Sequence, residues 1–222
     1  MKARRAMILP WLAGLLAGTS LCTAEEIPAP ARPEGFVALV GGHLSPDGVH
    51  VSATESCFLF CVPVSVSRDT RYGNIGSAGV RLGLWGTGTY RQLGAALSMT
   101  HVTASGDEGG VRYDTLAVSP QLRAGPFTVN GFTITPYLGF HLAGVMDGHA
   151  DVRFPEFTHT VSGALKGSET GLLAGVALAW RRVGILVETR RISTRLNLDD
   201  IGSSGSINMD SSGLNGGMFW RF

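Results

Sequence analysis

The feature that most constrains this chain is a period-two alternation of apolar and small or polar residues, repeated about eight times. Between 132 and 143 one row reads Phe132, Ile134, Pro136, Leu138, Phe140, Leu142 and the other Thr133, Thr135, Tyr137, Gly139, His141, Ala143. The same pattern recurs at Ala78–Leu84, Leu93–Thr100, Thr115–Leu122, Gly171–Trp180, Val183–Arg190 and Gly213–Phe222, with Gly35–Leu44 ahead of them. Alternation over such lengths is the mark of a strand with two unlike faces. Short links fall at Gly86-Thr87-Gly88, around Asn130-Gly131 and at Arg181-Arg182. Longer stretches fall at 45–73, 105–110, 147–167 and 199–206, and read as loops. An even strand count with strictly alternating short and long connections predicts an all-β, eight-stranded antiparallel up-and-down barrel, a pattern shown by the transmembrane β-barrel.

Alternation alone does not say which row faces inward, because a soluble barrel buries its apolar row and a membrane barrel shows it to lipid. Composition decides. Only 16% of residues are charged, too few to coat an ordinary soluble domain generously, and the second row is mostly Gly, Ala, Ser and Thr. Small residues suit the crowded interior of an eight-stranded barrel. Phe36, Trp85, Tyr90, Phe127, Phe132, Trp180, Trp220 and Phe222 gather near the short turns, where an aromatic girdle is expected. Strict alternation turns Trp85 and Tyr90 inward, so those two fit a girdle only at a bulge or strand end. With a formal net charge of +1, the chain has no basic surplus for nucleic acid.

The first 24 residues read as a secretory signal peptide. A basic start (Lys2, Arg4, Arg5) precedes the apolar run Ala6–Ala17, too short for a comfortable membrane span, and small residues lead to Ala24. Cys22 as a lipid-bearing residue is disfavoured because Leu21, not a small residue, precedes it. Loss of the leader shifts the net charge from +1 to −2. Residues 25–34 (EEIPAPARPE) form an expected extended tail before a barrel domain at 35–222. No later apolar run is long enough for a spanning helix.

The last residues carry a family resemblance. Gly217, Trp220 and the terminal Phe222 match the C-terminal assembly signal of outer-membrane β-barrel proteins: a glycine, an aromatic three positions later, and a final aromatic. Size, leader and loop rhythm resemble the small eight-stranded OmpA/OmpX-like porin-family barrels. That resemblance implies a monomer in the Gram-negative cell outer membrane, surrounded by lipid and lipopolysaccharide. It also implies periplasmic chaperones and the barrel-assembly machinery as partners. It implies no cofactor and little about activity, since such barrels host anchors, adhesins, conduits and lipid-modifying enzymes. A structural or surface-interaction role is the leading expectation. Passive passage of small or apolar compounds, as in OmpW-like barrels, is the alternative, and an enzyme is disfavoured.

Candidate chemistry is sparse. Arg81, Glu188, Arg190 and Arg221 fall on the inward row, where buried charges must pair, and are expected to form a lumen charge network. Cys57 and Cys61 flank Phe58-Leu59-Phe60 in the first long link; in an oxidising compartment a local disulfide is expected. A metal site would need His43, His50 or Glu55 as further ligands, in a spacing unlike known zinc patterns. The apolar stretch Cys57–Val66 is unusual for an outer loop and suggests a contact with lipid or protein. His159, Ser162 and Glu169 could supply an activated hydroxyl, but their spacing departs from that of lipid A deacylases, in which His and Ser are two apart. Tyr137 and His141 share the inward row without an evident nucleophile, and Gly73–Gly79 lacks the features of a phosphate loop.

Overall fold

The computed structural model describes residues 33–55, 64–70, 72–73, 75–106, 109–153, 160–200 and 203–222. They form β1 (Glu34–Glu55), β2 (Val64–Thr70), β3 (Ile75–Trp85), β4 (Leu93–Gly106), β5 (Gly109–Arg123), β6 (Phe127–Val129), β7 (Phe132–Arg153), β8 (Thr160–Trp180), β9 (Val183–Asp200) and β10 (Ser203–Arg221). Eight of these run around the barrel in sequence order, and β10 pairs antiparallel with β1 from Phe36↔Arg221 to Glu55↔Ser203 to close it. Among the described residues each of these eight strands is therefore paired on both sides over its lower part. The two remaining strands are additions at opposite ends. β2 pairs with the upper part of β1, and β6 forms a small hairpin with β7 at the short-turn end.

Local chemistry sets the turns. Asn130 (φ 51°) and Gly131 (φ 81°) supply the two positive-φ positions that a type I′ hairpin requires. Gly217 serves a different need: a Cβ there would sit 2.5 Å from the Leu39 carbonyl oxygen, so only glycine lets β10 approach β1 so closely.

The strands are much longer than a membrane crossing demands: β1 and β7 have 22 residues each and β8 has 21, against about 9–11 for a crossing. Much of 45–73 and 147–167, expected as loops, is therefore strand. The reason is visible on β9. In its lower part Val183, Ile185 and Val187 point outward and are exposed, while Glu188 and Arg190 point inward and are buried. Above Arg190 the polarity of both rows reverses. Ile192, Leu196 and Leu198 are buried inside, and Arg191, Arg195 and Asn197 are outside. β4, β5, β8 and β10 reverse at the same level, with Val102, Val111, Leu165 and Ile207 inside. β7 reaches the same result by a bulge between Gly144 and His149. Its even-numbered row faces out at Leu138, Phe140 and Leu142, then in at Ala150 and Val152. β1 does likewise between Pro46 and Gly48.

The barrel thus has two storeys. The lower one presents an apolar outer belt, from Leu39 (68% exposed) round to Phe222 (72% exposed), over a small and polar interior. The upper one has a polar outer wall around a packed apolar core that includes Val49, Val51, Ile75, Val161 and Leu196. The interior is therefore not polar throughout, as the sequence suggests. The girdle is also thinner than expected. Trp180, Trp220, Phe132 and Phe222 are exposed at the short-turn end, but Trp85 is buried in the lumen and Phe36 packs beside it.

Candidate functional site

Among the described residues, charged side chains converge away from water in the lower lumen. At its floor Glu34, the first residue of β1, bridges two arginines: its Oε2 accepts from Arg123 Nη1 at 2.9 Å and its Oε1 from Arg221 Nη1 at 2.8 Å. Arg123 also donates from Nε to the Arg91 carbonyl at 2.6 Å and lies 4.8 Å over the Trp85 ring. One storey of side chains higher, Arg81 of β3 meets Glu188 of β9 across the barrel. Its Nη1 donates to Oε2 at 2.8 Å and its Nη2 to Oε1 at 2.7 Å. Arg190 donates from Nε to Glu188 Oε1 at 2.6 Å, and the Tyr137 hydroxyl donates to Oε2 at 3.0 Å. With its carboxamide oxygen turned toward Arg190, Asn215 accepts from that guanidinium at 2.7 Å. Ser98 accepts from Arg81 Nε at 3.2 Å.

A second cluster lies above it. Glu169 accepts from the Tyr113 hydroxyl at 2.7 Å, and its other oxygen lies 3.1 Å from His141 Nε2. Inward charge in a low-dielectric interior is tolerated only when paired and hydrogen-bonded in this way.

Of the four residues expected in one network, the structure joins Arg81, Glu188 and Arg190 and sets Arg221 apart, at the rim with Glu34. Sequence reasoning missed Glu34 and Arg123. Glu34 lay in the expected tail, and Arg123 just past the last alternating pair. The spaces between the clusters are small: about 40 Å³ between the rim and Arg81, and about 10 Å³ beside Glu169. Above them the upper core fills the barrel. A water needs about one probe sphere of such space, so these gaps hold a few waters at most.

Among the described residues the outer wall holds two groupings of Ser, His and Asp. On β7 and β8, Ser162 Oγ donates to Asp151 Oδ1 at 2.6 Å, while His149 Nε2 faces both Ser162 (3.1 Å) and Asp151 (3.2 Å). The same nitrogen serves both partners, so no proton can be passed from serine through the ring to the acid. The Ser162 hydroxyl instead holds the Asp151 carboxyl below the usual carboxylate range. On β1 and β2, His50 uses both nitrogens: Nε2 lies 2.8 Å from Ser67 Oγ and Nδ1 3.0 Å from Asp69 Oδ1. That is the bonding order of a relay. Asp69, however, is 91% exposed. Its charge is spent on water rather than on a developing imidazolium, and the dry, preorganised setting that makes such relays effective is missing.

Ser162 and Glu169, which the sequence places with His159 as candidate chemistry, lie apart in role. Ser162 bonds Asp151 on the outer wall, and Glu169 sits in the lumen. His159, Cys57 and Cys61 lie outside the described residues, as do the leader and residues 25–32 of the tail. Among the described residues no group of three or more His, Cys, Asp or Glu is placed to hold a metal ion.

No protein-family model matches the chain, and no curated protein matches it in sequence. Among solved structures it is similar to Neisserial surface protein A, with TM-score 0.46 and 16% identity over 85% of this chain and 97% of that one. It is also similar to the outer membrane protein OprG from Pseudomonas aeruginosa (TM-score 0.47, 11% identity, 85% and 95% covered). A third is Ail, the attachment invasion locus protein of Yersinia pestis (TM-score 0.27, 11% identity, 82% and 98% covered). By its own strand order, closure and outward apolar belt, this chain is an eight-stranded antiparallel up-and-down barrel of the membrane-spanning class.

Proposed function

We propose that this protein sits in the outer membrane of a Gram-negative cell and acts there as a surface-interaction or envelope-anchoring barrel, not as a pore or an enzyme. The observation that carries the reading is the two-storey wall. An outward apolar belt gives way at one level to a polar wall around a packed apolar core. Such a barrel carries the polar upper parts of its strands clear of the lipid on a rigid stem. The closed lumen supports the same reading, since paired charges and the upper core leave only small gaps along its axis. Export by the leader at 1–24, and insertion by periplasmic chaperones and the barrel-assembly machinery through Gly217, Trp220 and Phe222, complete the proposal. Outer-leaflet lipopolysaccharide is then its immediate neighbour.

The experiment is a binding assay on intact cells displaying the protein. Replacing Phe58, Leu59 and Phe60 by serine should reduce adherence to host cells or matrix proteins while the folded barrel still migrates ahead of its boiled form in cold SDS. Equal adherence of the variant, the wild type and cells lacking the protein removes the surface-interaction role.

A further inference from the structure

The cavity of about 40 Å³ in the lower lumen lies between two charge clusters, and each of them holds more arginine than acid. Below it, Arg123 and Arg221 share the single carboxylate of Glu34. Above it, Arg81 and Arg190 share that of Glu188. The other acids stand further off. Glu169 lies above Arg190 and is engaged by Tyr113, His141 and Thr194. Phe222 does not line the cavity; its carbonyl oxygen accepts from Gly35 N at 3.3 Å, in the end of the wall. Among the described residues, four guanidinium groups thus face two side-chain carboxylates around this space. Counting the Phe222 carboxylate as well leaves one positive charge over.

The donors around the cavity are not all used. Gln121, one inward step up β5 from Arg123, is 6% exposed, and its Nε2 is buried without a hydrogen-bond partner. Arg221 gives Nη1 to Glu34 and Nη2 to the Arg181 carbonyl, and its Nε is also buried without a partner. Both residues line the cavity. A buried N–H without an acceptor is costly, so two of them beside one space point to an acceptor that the chain itself does not supply. Much of the remaining wall is apolar, with Phe36, Trp85 and Leu186 among its residues. The space has room for about three waters or one halide-sized ion, and is too small for sulfate or phosphate. A water would bring two more donors into a site already rich in them. An anion only accepts, and it cancels the surplus charge. Glu34 and Arg221 are both partly exposed, so the space is reached past them from the short-turn end.

We propose that the lower lumen binds one monovalent inorganic anion of halide size, chloride in physiological salt, between the Glu34 and Glu188 clusters. Gln121 Nε2 and Arg221 Nε are among its donors. The bound ion neutralises charge that the chain leaves unpaired, and it ties the stability of the barrel to the halide on its short-turn side. The proposal needs only the barrel interior and holds for any surface role.

The test uses the full-length folded protein in detergent. Crystals grown with bromide in place of chloride should show an anomalous peak in the cavity, within hydrogen-bond reach of Gln121 Nε2. Gln121→Glu should lose that peak, because its carboxylate supplies the missing acceptor and repels the ion. In solution, a tenfold rise in chloride above half-saturation should raise the unfolding temperature of wild type by about 3–6 °C. Sodium gluconate at the same ionic strength, with an anion too large to enter, should not. Gln121→Glu should show no chloride response, and Arg182→Gln, on the exposed short turn, should respond as wild type does. Water alone in the cavity of the bromide crystals overturns the proposal, whatever ions sit on the surface. So do equal responses of wild type to chloride and gluconate, or a Gln121→Glu protein that keeps both peak and response. Should Gln121→Glu fail to fold, Gln121→Leu is measured instead; a several-fold weaker chloride response supports the site, and an unchanged one overturns it.

Discussion

Arg81 and Glu188, 107 residues apart in sequence, meet across the lumen through two parallel hydrogen bonds of 2.8 and 2.7 Å. Both are almost wholly buried, and Glu188 also holds Arg190 and Tyr137. Removing one partner strands the others. Glu188→Gln or Arg81→Met should each destabilise the barrel by about 3–5 kcal/mol. Changing both to apolar residues of similar volume should recover a large part of that loss. Urea unfolding in detergent micelles, followed by the shift between folded and unfolded bands, measures both outcomes.

The same pairing predicts electrical silence. Purified protein in planar bilayers should give no steady single-channel conductance in moderate salt. A stable open level would show that the stacked clusters and the upper core part more readily than their packing implies.

The reversal of the two rows predicts a reciprocal response on β9. Leu196 is fully buried in the upper core, and its neighbour Asn197 faces water. Leu196→Ala should cost about 2–5 kcal/mol, and Leu196→Asn should admit protease to the upper strands while the lower barrel stays resistant. Asn197→Leu should be tolerated. A membrane-type wall continued to the strand tips would give the opposite ranking, so limited proteolysis of the two variants decides between them.

On the outer wall, Ser162→Ala removes the hydrogen bond that lowers the Asp151 pKa. A carboxyl held below its unfolded value adds stability above the unfolded pKa, and that stability is lost as pH falls through the folded pKa. The variant should therefore show a higher Asp151 pKa by carboxyl-carbon NMR and a smaller loss of stability on acidification. An unchanged titration would mean the bond is not populated in solution.

His50 gives a further check. With Asp69 exposed to water, Ser67 should react with a fluorophosphonate probe no faster than a surface serine, and Ser67→Ala should not change labelling of the protein. Selective labelling of Ser67 would call for an enzymatic role.

Much of the lower barrel was legible because its signal is redundant. Each of the eight crossings repeats the same alternation, and the turn residues Asn130 and Gly131 occupy positions where positive φ is required. The upper storey was not legible for a physical reason. At about Arg190 the apolar row of β9 passes from outside to inside, so one continuous strand reads as an ordered segment followed by polar sequence. On β7 a single inserted residue does the same work, and nothing in composition announces a bulge. Arg81, Glu188 and Arg190 are readable as inward charges, but their partners depend on register: Asn215 stands opposite Glu188 on the neighbouring strand, and Tyr137 reaches Glu188 over Gly175 of the strand between. Glu34 and Arg123 escaped notice because each stands at the margin of its strand, where alternation gives no guidance.

The level at which the wall changes character also acts as a waterline. Sinking the protein by one rung would drag Arg191 and its polar neighbours into hydrocarbon, and raising it would bare Leu172 and Leu214 to water. Both displacements are penalised, so draught and tilt are set by the chain itself, and a thinner or thicker bilayer must adjust to the protein.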